Sequence, residues 1–126
     1  MRRVVVTGLG IVSPIGNSAD EVEQSLRAGR PGIAHVAAME EHGFRSQVAG
    51  TLGIDPAEHV DKRALRFMGP GAAYAHIAMS QAIADAGLGE AEVVNERTGL
   101  IAGSGGPSTS AMFAAHQTVL KSGGTK

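Results

Sequence analysis

The chain has 126 residues, of which 43% are hydrophobic and 18% charged, which is typical of one folded domain and excludes a disordered segment. Its 11 basic and 12 acidic residues give a net charge of -1, which argues against a general nucleic-acid-binding protein. The sequence contains no cysteine, so disulfides, thiolate metal sites and a cysteine nucleophile are excluded within these residues. No apolar run approaches the ~18 residues of a membrane span, and we expect a soluble, cytoplasmic protein with no membrane partner.

The first predicted element is a strand over residues 3–12. Three valines at positions 4–6 begin an almost continuous apolar run, which favours a strand buried on both faces in a layered structure. Pro14 ends the strand, because proline has no amide hydrogen to donate to a neighbouring strand.

Gly8 and Gly10 within this run resemble the start of a dinucleotide-binding loop. Ser13 replaces the third small residue of that motif, and Pro14 stands where the phosphate-binding helix would begin. We therefore predict that the two glycines allow another backbone to pack closely, and nucleotide binding is a remote alternative.

A helix is predicted between Ser18 and Gly29. Ser18 and Glu21 form a capping box, in which each side chain accepts a hydrogen bond from an amide at the helix start. Gly29 suits the left-handed position after a helix, and Pro31 prevents its continuation.

Similar signals predict the remaining elements. We predict a short edge strand over residues 44–49, a short basic helical turn over 61–68, an alanine-rich central helix over 72–86, a second buried strand over 98–102 and a helix from Pro107 to Lys121. Helices that alternate with buried strands indicate an α/β fold, and we find no domain boundary within residues 1–126.

Residues 103–106, Gly-Ser-Gly-Gly, connect the second predicted strand to the last helix. Such a loop can bind an anion, but it lacks the lysine and hydroxyl residue of a nucleoside-triphosphate loop. A tight turn and the wall of a substrate channel both remain open as interpretations. The five histidines show no metal-binding spacing, so we expect no metal site.

Lys62, Arg63 and Arg66 form the most informative charge cluster. At spacings of three and four residues, the first two can share one side of a helical turn with Arg66. The cluster is interpreted either as an ordinary solvent-facing surface or as a docking point for an acidic partner, whose encounter rate the local charge would raise.

Four segments resemble the amino-terminal region of bacterial β-ketoacyl-acyl carrier protein synthases. They are residues 5–16 (VVTGLGIVSPIG), 66–68 (RFM), 81–88 (QAIADAGL) and 99–106 (GLIAGSGG). The resemblance implies a thiolase-like fold, with five layers in the order αβαβα built from two similar halves, and a homodimer. This chain would be the amino-terminal part of the first half, incomplete as given.

The resemblance also implies a reaction. Family members elongate fatty acyl chains by decarboxylative Claisen condensation with malonyl-acyl carrier protein, and they use a cysteine, two histidines and a lysine but no metal or organic cofactor. None of those four residues has a counterpart in this chain, so no catalytic residue is assigned. We expect the chain alone to be inactive, because condensation requires the nucleophile and its bases together.

The family's docking surface for the acidic acyl carrier protein includes positions that match Arg63 and Arg66, with Lys62 beside them. Lys126 matches a further basic contact, in a segment that lies across the dimer in the family. Gly123 stands where a second basic residue of that segment is found. The resemblance therefore implies docking by Lys62, Arg63, Arg66 and Lys126.

Gly106 matches a position on the wall of the family's acyl pocket. A glycine there resembles the synthase I subtype, because synthase II has a branched apolar residue at that place. Residues 66–68 agree with the same subtype.

Two other functions are compatible with the sequence. One is a non-catalytic synthase-like subunit, such as a chain-length factor, and the other is a self-contained module that binds an acidic protein. In each case, strands buried on both faces need layers on both sides. We therefore expect the chain by itself to self-associate or to be part of something longer.

Overall fold

A computed structural model describes residues 3–123 of the chain. Its elements in chain order are helix α1 (Ala19–Arg27), strand β1 (Ala34–His35), helix α2 (Ala37–Glu41), strand β2 (Val48–Ala49), a 3₁₀ turn (Pro56–Glu58), and helices α3 (Lys62–Leu65), α4 (Pro70–Asp85), α5 (Glu90–Val93) and α6 (Thr109–Ser122). Strands β1 and β2 pair antiparallel, so the edge strand predicted within residues 44–49 is confirmed at its end.

Helix α1 begins and ends at the predicted signals. The Ser18 side chain accepts a hydrogen bond from the Glu21 amide at 3.3 Å. The Glu21 carboxylate accepts from the Asn17 amide at 2.7 Å, one residue earlier than in a standard capping box. Gly29 has a φ of 63°, the left-handed conformation predicted for it.

Helix α4 is the central element, as its alanine content predicts. Ala73 and Ile77 lie one turn apart on α4 and are 1% and 4% exposed. The 3₁₀ turn packs against α4, and Val60, just after that turn, is also buried. These three residues form the small hydrophobic core of the described chain.

The two predicted buried strands, residues 3–12 and 98–102, are wrong for residues 3–123 of this structure. Neither segment forms a strand there, because neither finds the neighbouring strand that backbone hydrogen bonding requires. Val4 is 95% exposed and Ile101 is 98% exposed. The apolar pattern identified segments suited to burial, but the layers expected on both sides of them are not formed by the described residues.

Helix α4 supplies the hydrogen-bond partners that a neighbouring strand would have given to the first segment. The Leu9 amide donates to Asp85 Oδ2, and the Ile11 amide donates to Gln81 Oε1, both at 2.9 Å. A Cβ atom at Gly10 would overlap the carbonyl oxygen of Ala78. The prediction that the glycines permit close backbone packing is therefore confirmed, and the packed backbone is that of α4.

The other predicted helices are present with small shifts at their ends. The basic turn predicted over residues 61–68 contains α3, and the last helix is α6. The prediction that α6 begins at Pro107 is wrong, because α6 begins at Thr109. The Ser108 side chain caps the helix by accepting a hydrogen bond from the Ala111 amide at 3.3 Å. Gly123, with a φ of 65°, ends it.

We predict that Gly10→Ala destabilises the chain and that Gly71→Ala does not. The added methyl at position 10 must push the segment away from α4, a cost of roughly 1–3 kcal/mol in the free energy of unfolding. Gly71 lies in the first turn of α4, where an added Cβ atom would meet nothing within 4 Å, and alanine favours helix. Urea denaturation of both variants measures the difference, and equal midpoints would contradict the close packing.

Candidate functional site

Helix α3 is a single turn whose start is fixed by one carboxylate. The Asp61 side chain accepts hydrogen bonds from the amides of Arg63 at 2.8 Å and Ala64 at 3.3 Å. Aspartate is among the best residues for this position, because its oxygen satisfies amides that have no partner in the helix. The cap therefore holds in place a turn too short to be stable by itself.

The same turn is anchored from its other side. Val60 is 5% exposed and directly precedes Asp61, and the 3₁₀ turn packs against both α3 and α4. The backbone that carries Lys62 and Arg63 is thus connected to the hydrophobic core, while their side chains are exposed.

The structure brings three of the four predicted docking residues together. Lys62 and Arg63 lie in α3, and Arg66 is the residue that caps its carboxyl end. We call these three residues the basic cluster. All three are exposed, and Lys126 lies outside the described residues.

The charges of the basic cluster are available to a partner. Across residues 3–123, none of its side chains forms an ion pair, whereas Arg27 pairs with Glu23. Asp61 is the acidic neighbour in sequence, and its carboxylate is engaged by backbone amides. A partner carboxylate would therefore not have to displace an existing ion pair.

Arg66 makes one contact of a different kind. Its guanidinium lies over the ring of Phe67, 6.0 Å from the ring centroid. Phe67 is 87% exposed, so the ring covers little of the chain other than this side chain.

Gly106 lies on the wall of an open groove of about 1170 Å³ between the amino-terminal ends of α4 and α6. A Cβ atom at Gly106 would meet nothing within 4 Å. Ser104 Oγ donates to the Gly106 carbonyl at 2.7 Å and shapes the turn. The larger apolar side chains of the wall are those of Met68, Met79, Leu100 and Ile101.

Metal ligands and hydroxyl nucleophiles are the reactive groups that this cysteine-free chain could offer. Within residues 3–123, no three histidine or acidic side chains are grouped so that they could hold a metal ion. Ser104 Oγ donates to the Gly106 carbonyl, and within residues 3–123 it forms no hydrogen bond with a histidine or a carboxylate. No helix in this part of the chain is long and apolar enough to span a membrane.

Almost the whole chain matches the model of one protein family. The family model of the β-ketoacyl synthase amino-terminal domain matches residues 1–125. The chain belongs to the β-ketoacyl synthase family. Membership confirms the resemblance identified in the sequence, and no nucleotide-binding motif is needed to explain Gly8 and Gly10.

Individual relatives agree with the synthase I subtype. The chain is 53% identical to 3-oxoacyl-[acyl-carrier-protein] synthase 1 of Haemophilus influenzae over 83% of its residues, and 51% identical to that of Escherichia coli K12 over 86%. Synthase 2 of Vibrio cholerae is 33% identical over 99%. These alignments cover 26%, 27% and 30% of the relatives, so the chain spans between a quarter and a third of their length.

A solved structure confirms the fold class. A β-ketoacyl synthase from Burkholderia phymatum STM815 superposes on 98% of this chain with a TM-score of 0.77 and 33% sequence identity, and the match covers 31% of that protein. The chain therefore follows the path of the amino-terminal part of a thiolase-like α/β fold, even where its own residues do not pair as strands.

Sequence reasoning missed two contributors to the site. Asp61 carried a readable signal, because an aspartate directly before a predicted turn is a typical helix cap. Phe67 carried none, since its contact with Arg66 depends on how the chain leaves α3.

We predict that Asp61→Ala loosens α3 and that Asp61→Asn preserves it. Alanine removes the acceptor for two amides, at a cost of about 1 kcal/mol in local stability, whereas asparagine caps almost as well. Hydrogen exchange at the Arg63 and Ala64 amides is the measurement. Faster exchange in the alanine variant alone is expected, and equal exchange in both variants would contradict the capping role.

Proposed function

We propose that this chain is the amino-terminal part of a 3-oxoacyl-[acyl-carrier-protein] synthase and that its basic cluster docks the acyl carrier protein. The observation that carries the proposal is the group of exposed, unpaired cations on an anchored turn. Relatives at 53% and 51% identity are named for an acyl-carrier-protein reaction, and that carrier is an acidic protein in the family that the sequence resembles.

The reaction proposed for the whole protein is decarboxylative condensation of an acyl chain with malonyl-acyl carrier protein. The chain contains no cysteine, so it cannot supply the nucleophile of this reaction. Its contribution is to deliver the carrier-bound acyl group in the right place, which lowers the entropic part of the barrier. We therefore propose that the 126 residues alone bind the carrier but do not condense.

Electrostatics support docking by the basic cluster. Like charges on neighbouring residues attract an acidic protein over roughly a Debye length, about 8 Å at physiological salt. Such attraction raises the association rate and orients the partner more than it increases final affinity. Lys126 would extend the same surface, as the resemblance implies.

The groove beside Gly106 fits a role as part of the acyl pocket. It has no side chain at Gly106, and its wall includes several apolar residues, as a fatty acyl chain requires. A branched residue at this position would occupy part of the groove. Chain length would then depend on residues that face Gly106.

We also propose a homodimer that forms through α6. Met112, Phe113 and Leu120 on this helix are 59%, 65% and 65% exposed, and such apolar exposure is typical of a contact surface.

We propose a cytoplasmic location. The chain contains no cysteine and so needs no disulfide, which is compatible with the reducing environment of the cytoplasm.

We predict that reversing Arg63 and Arg66 together to glutamate weakens binding of acyl carrier protein by about tenfold at low salt, with a smaller difference at high salt because exposed charges are screened. Arg45→Glu/Arg97→Glu is the matched control, since it reverses the same number of charges at exposed arginines outside the basic cluster. Titration calorimetry at two salt concentrations measures both variants. Equal weakening by the control and the double variant would contradict docking at the basic cluster.

We predict that the full-length protein carrying this chain forms a β-ketoacyl product from acyl- and malonyl-acyl carrier protein, whereas the 126 residues alone form none. Mass spectrometry of the carrier-bound products is the measurement. A full-length protein that binds the carrier without condensing would favour the non-catalytic synthase-like subunit. If the protein isolated from its natural source has only the mass of these 126 residues and binds the carrier, the self-contained binding module would be favoured.

A further inference from the structure

Phe67 is an exposed apolar residue next to Arg66, and charge-driven docking does not explain its exposure. Its ring is 87% exposed, although burying a phenylalanine side chain normally stabilises a fold. Its ring contacts the guanidinium of Arg66 at 6.0 Å, at the outer limit of a cation–π interaction.

Arg66 is the member of the basic cluster that needs such support. It follows the last helical residue of α3 as its cap, and no hydrogen bond to its side chain is found among residues 3–123. An unsupported arginine must give up much rotamer freedom when it binds, which weakens the complex.

The contact constrains the guanidinium without using its donors. A guanidinium over a ring is attracted to the π-electrons and keeps N–H groups for other acceptors. Two such N–H groups on one edge match the two oxygens of a carboxylate in a pair of parallel hydrogen bonds. Lys62 and Arg63 have no comparable aromatic contact within the described chain.

We infer that Phe67 is a positioning residue for docking, which holds the Arg66 guanidinium over its ring so that the free edge binds a side-chain carboxylate of the acidic partner. This inference rests on the proposed function. It adds that Arg66 recognises the partner by geometry, whereas Lys62 and Arg63 act mainly through charge.

The test compares four variants of the full-length protein that carries this chain: Phe67→Leu, Phe67→Tyr, Arg66→Ala and the double variant Arg66→Ala/Phe67→Leu. Binding of apo acyl carrier protein, which lacks the phosphopantetheine phosphate, and of the phosphopantetheine-bearing form is measured by titration calorimetry. Leucine keeps an apolar side chain but removes the ring, whereas tyrosine keeps the ring. Circular dichroism checks that each variant folds.

We expect Phe67→Leu to weaken binding by about two- to fivefold, the effect of one exposed cation–π contact. Tyrosine should retain the affinity of the wild type. In the Arg66→Ala background, leucine should cause no further loss, because Phe67 acts through the guanidinium.

Three results would overturn the inference, and they differ from failure of the docking proposal. If leucine weakens binding equally with and without Arg66, Phe67 contacts the partner directly. If leucine has no effect while Arg66→Ala weakens binding, docking stands and the positioning role fails. If the effect appears only with the phosphopantetheine-bearing carrier, Arg66 binds phosphate rather than a carboxylate. A fourth result, no effect of Arg66→Ala itself, would remove Arg66 from the docking surface and the inference with it, and docking by the rest of the basic cluster would then be judged by the Arg63 and Arg66 double reversal.

Discussion

The contact between helix α4 and the segment around Gly8 and Gly10 is the constraint on which the rest of the described chain depends. Gln81 is its main side chain, because its Oε1 accepts from the Ile11 amide at 2.9 Å and its Nε2 donates to the Asn17 carbonyl at 2.7 Å. One residue of α4 thus holds both ends of the turn that leads into α1. A part-buried amide with both groups satisfied is stable, whereas losing one bond would leave a polar group unpaired.

The amino-terminal half of helix α4 also packs against the segment that leads into α3. Ala73 and Ile77 pack where the 3₁₀ turn and Val60 meet the helix, and Val60 directly precedes the cap of α3. The short turn that carries the basic cluster is therefore held by a 16-residue helix. This explains why a four-residue helix can present charges in a fixed arrangement although its own propensity would not keep it folded.

The helices could be predicted because their signals are local. Ser18 acts through a neighbouring amide and Gly29 through its own backbone conformation, and the structure places them at the two ends of α1. The strands could not be predicted in the same way, because pairing depends on residues distant in sequence. Residues 3–12 and 98–102 have the composition of buried strands but form no strand within residues 3–123. In the candidate site, the grouping of the three basic residues could be predicted from their spacing, whereas the contact between Phe67 and Arg66 could not.

Burying an exposed apolar side chain of this chain and burying one of its exposed charges have opposite effects on the free energy. Covering Val4 or Ile101, which are 95% and 98% exposed, would gain about 25 cal/mol for each Å² of apolar area removed from water. Covering an unpaired arginine would instead cost the hydration of its charge. Packing against further protein therefore favours burial of the apolar segments and leaves the basic cluster open. A partner with carboxylates of its own, as we propose, would compensate for that hydration. The basic cluster is therefore better suited to a charged, reversible partner than to a permanent interface.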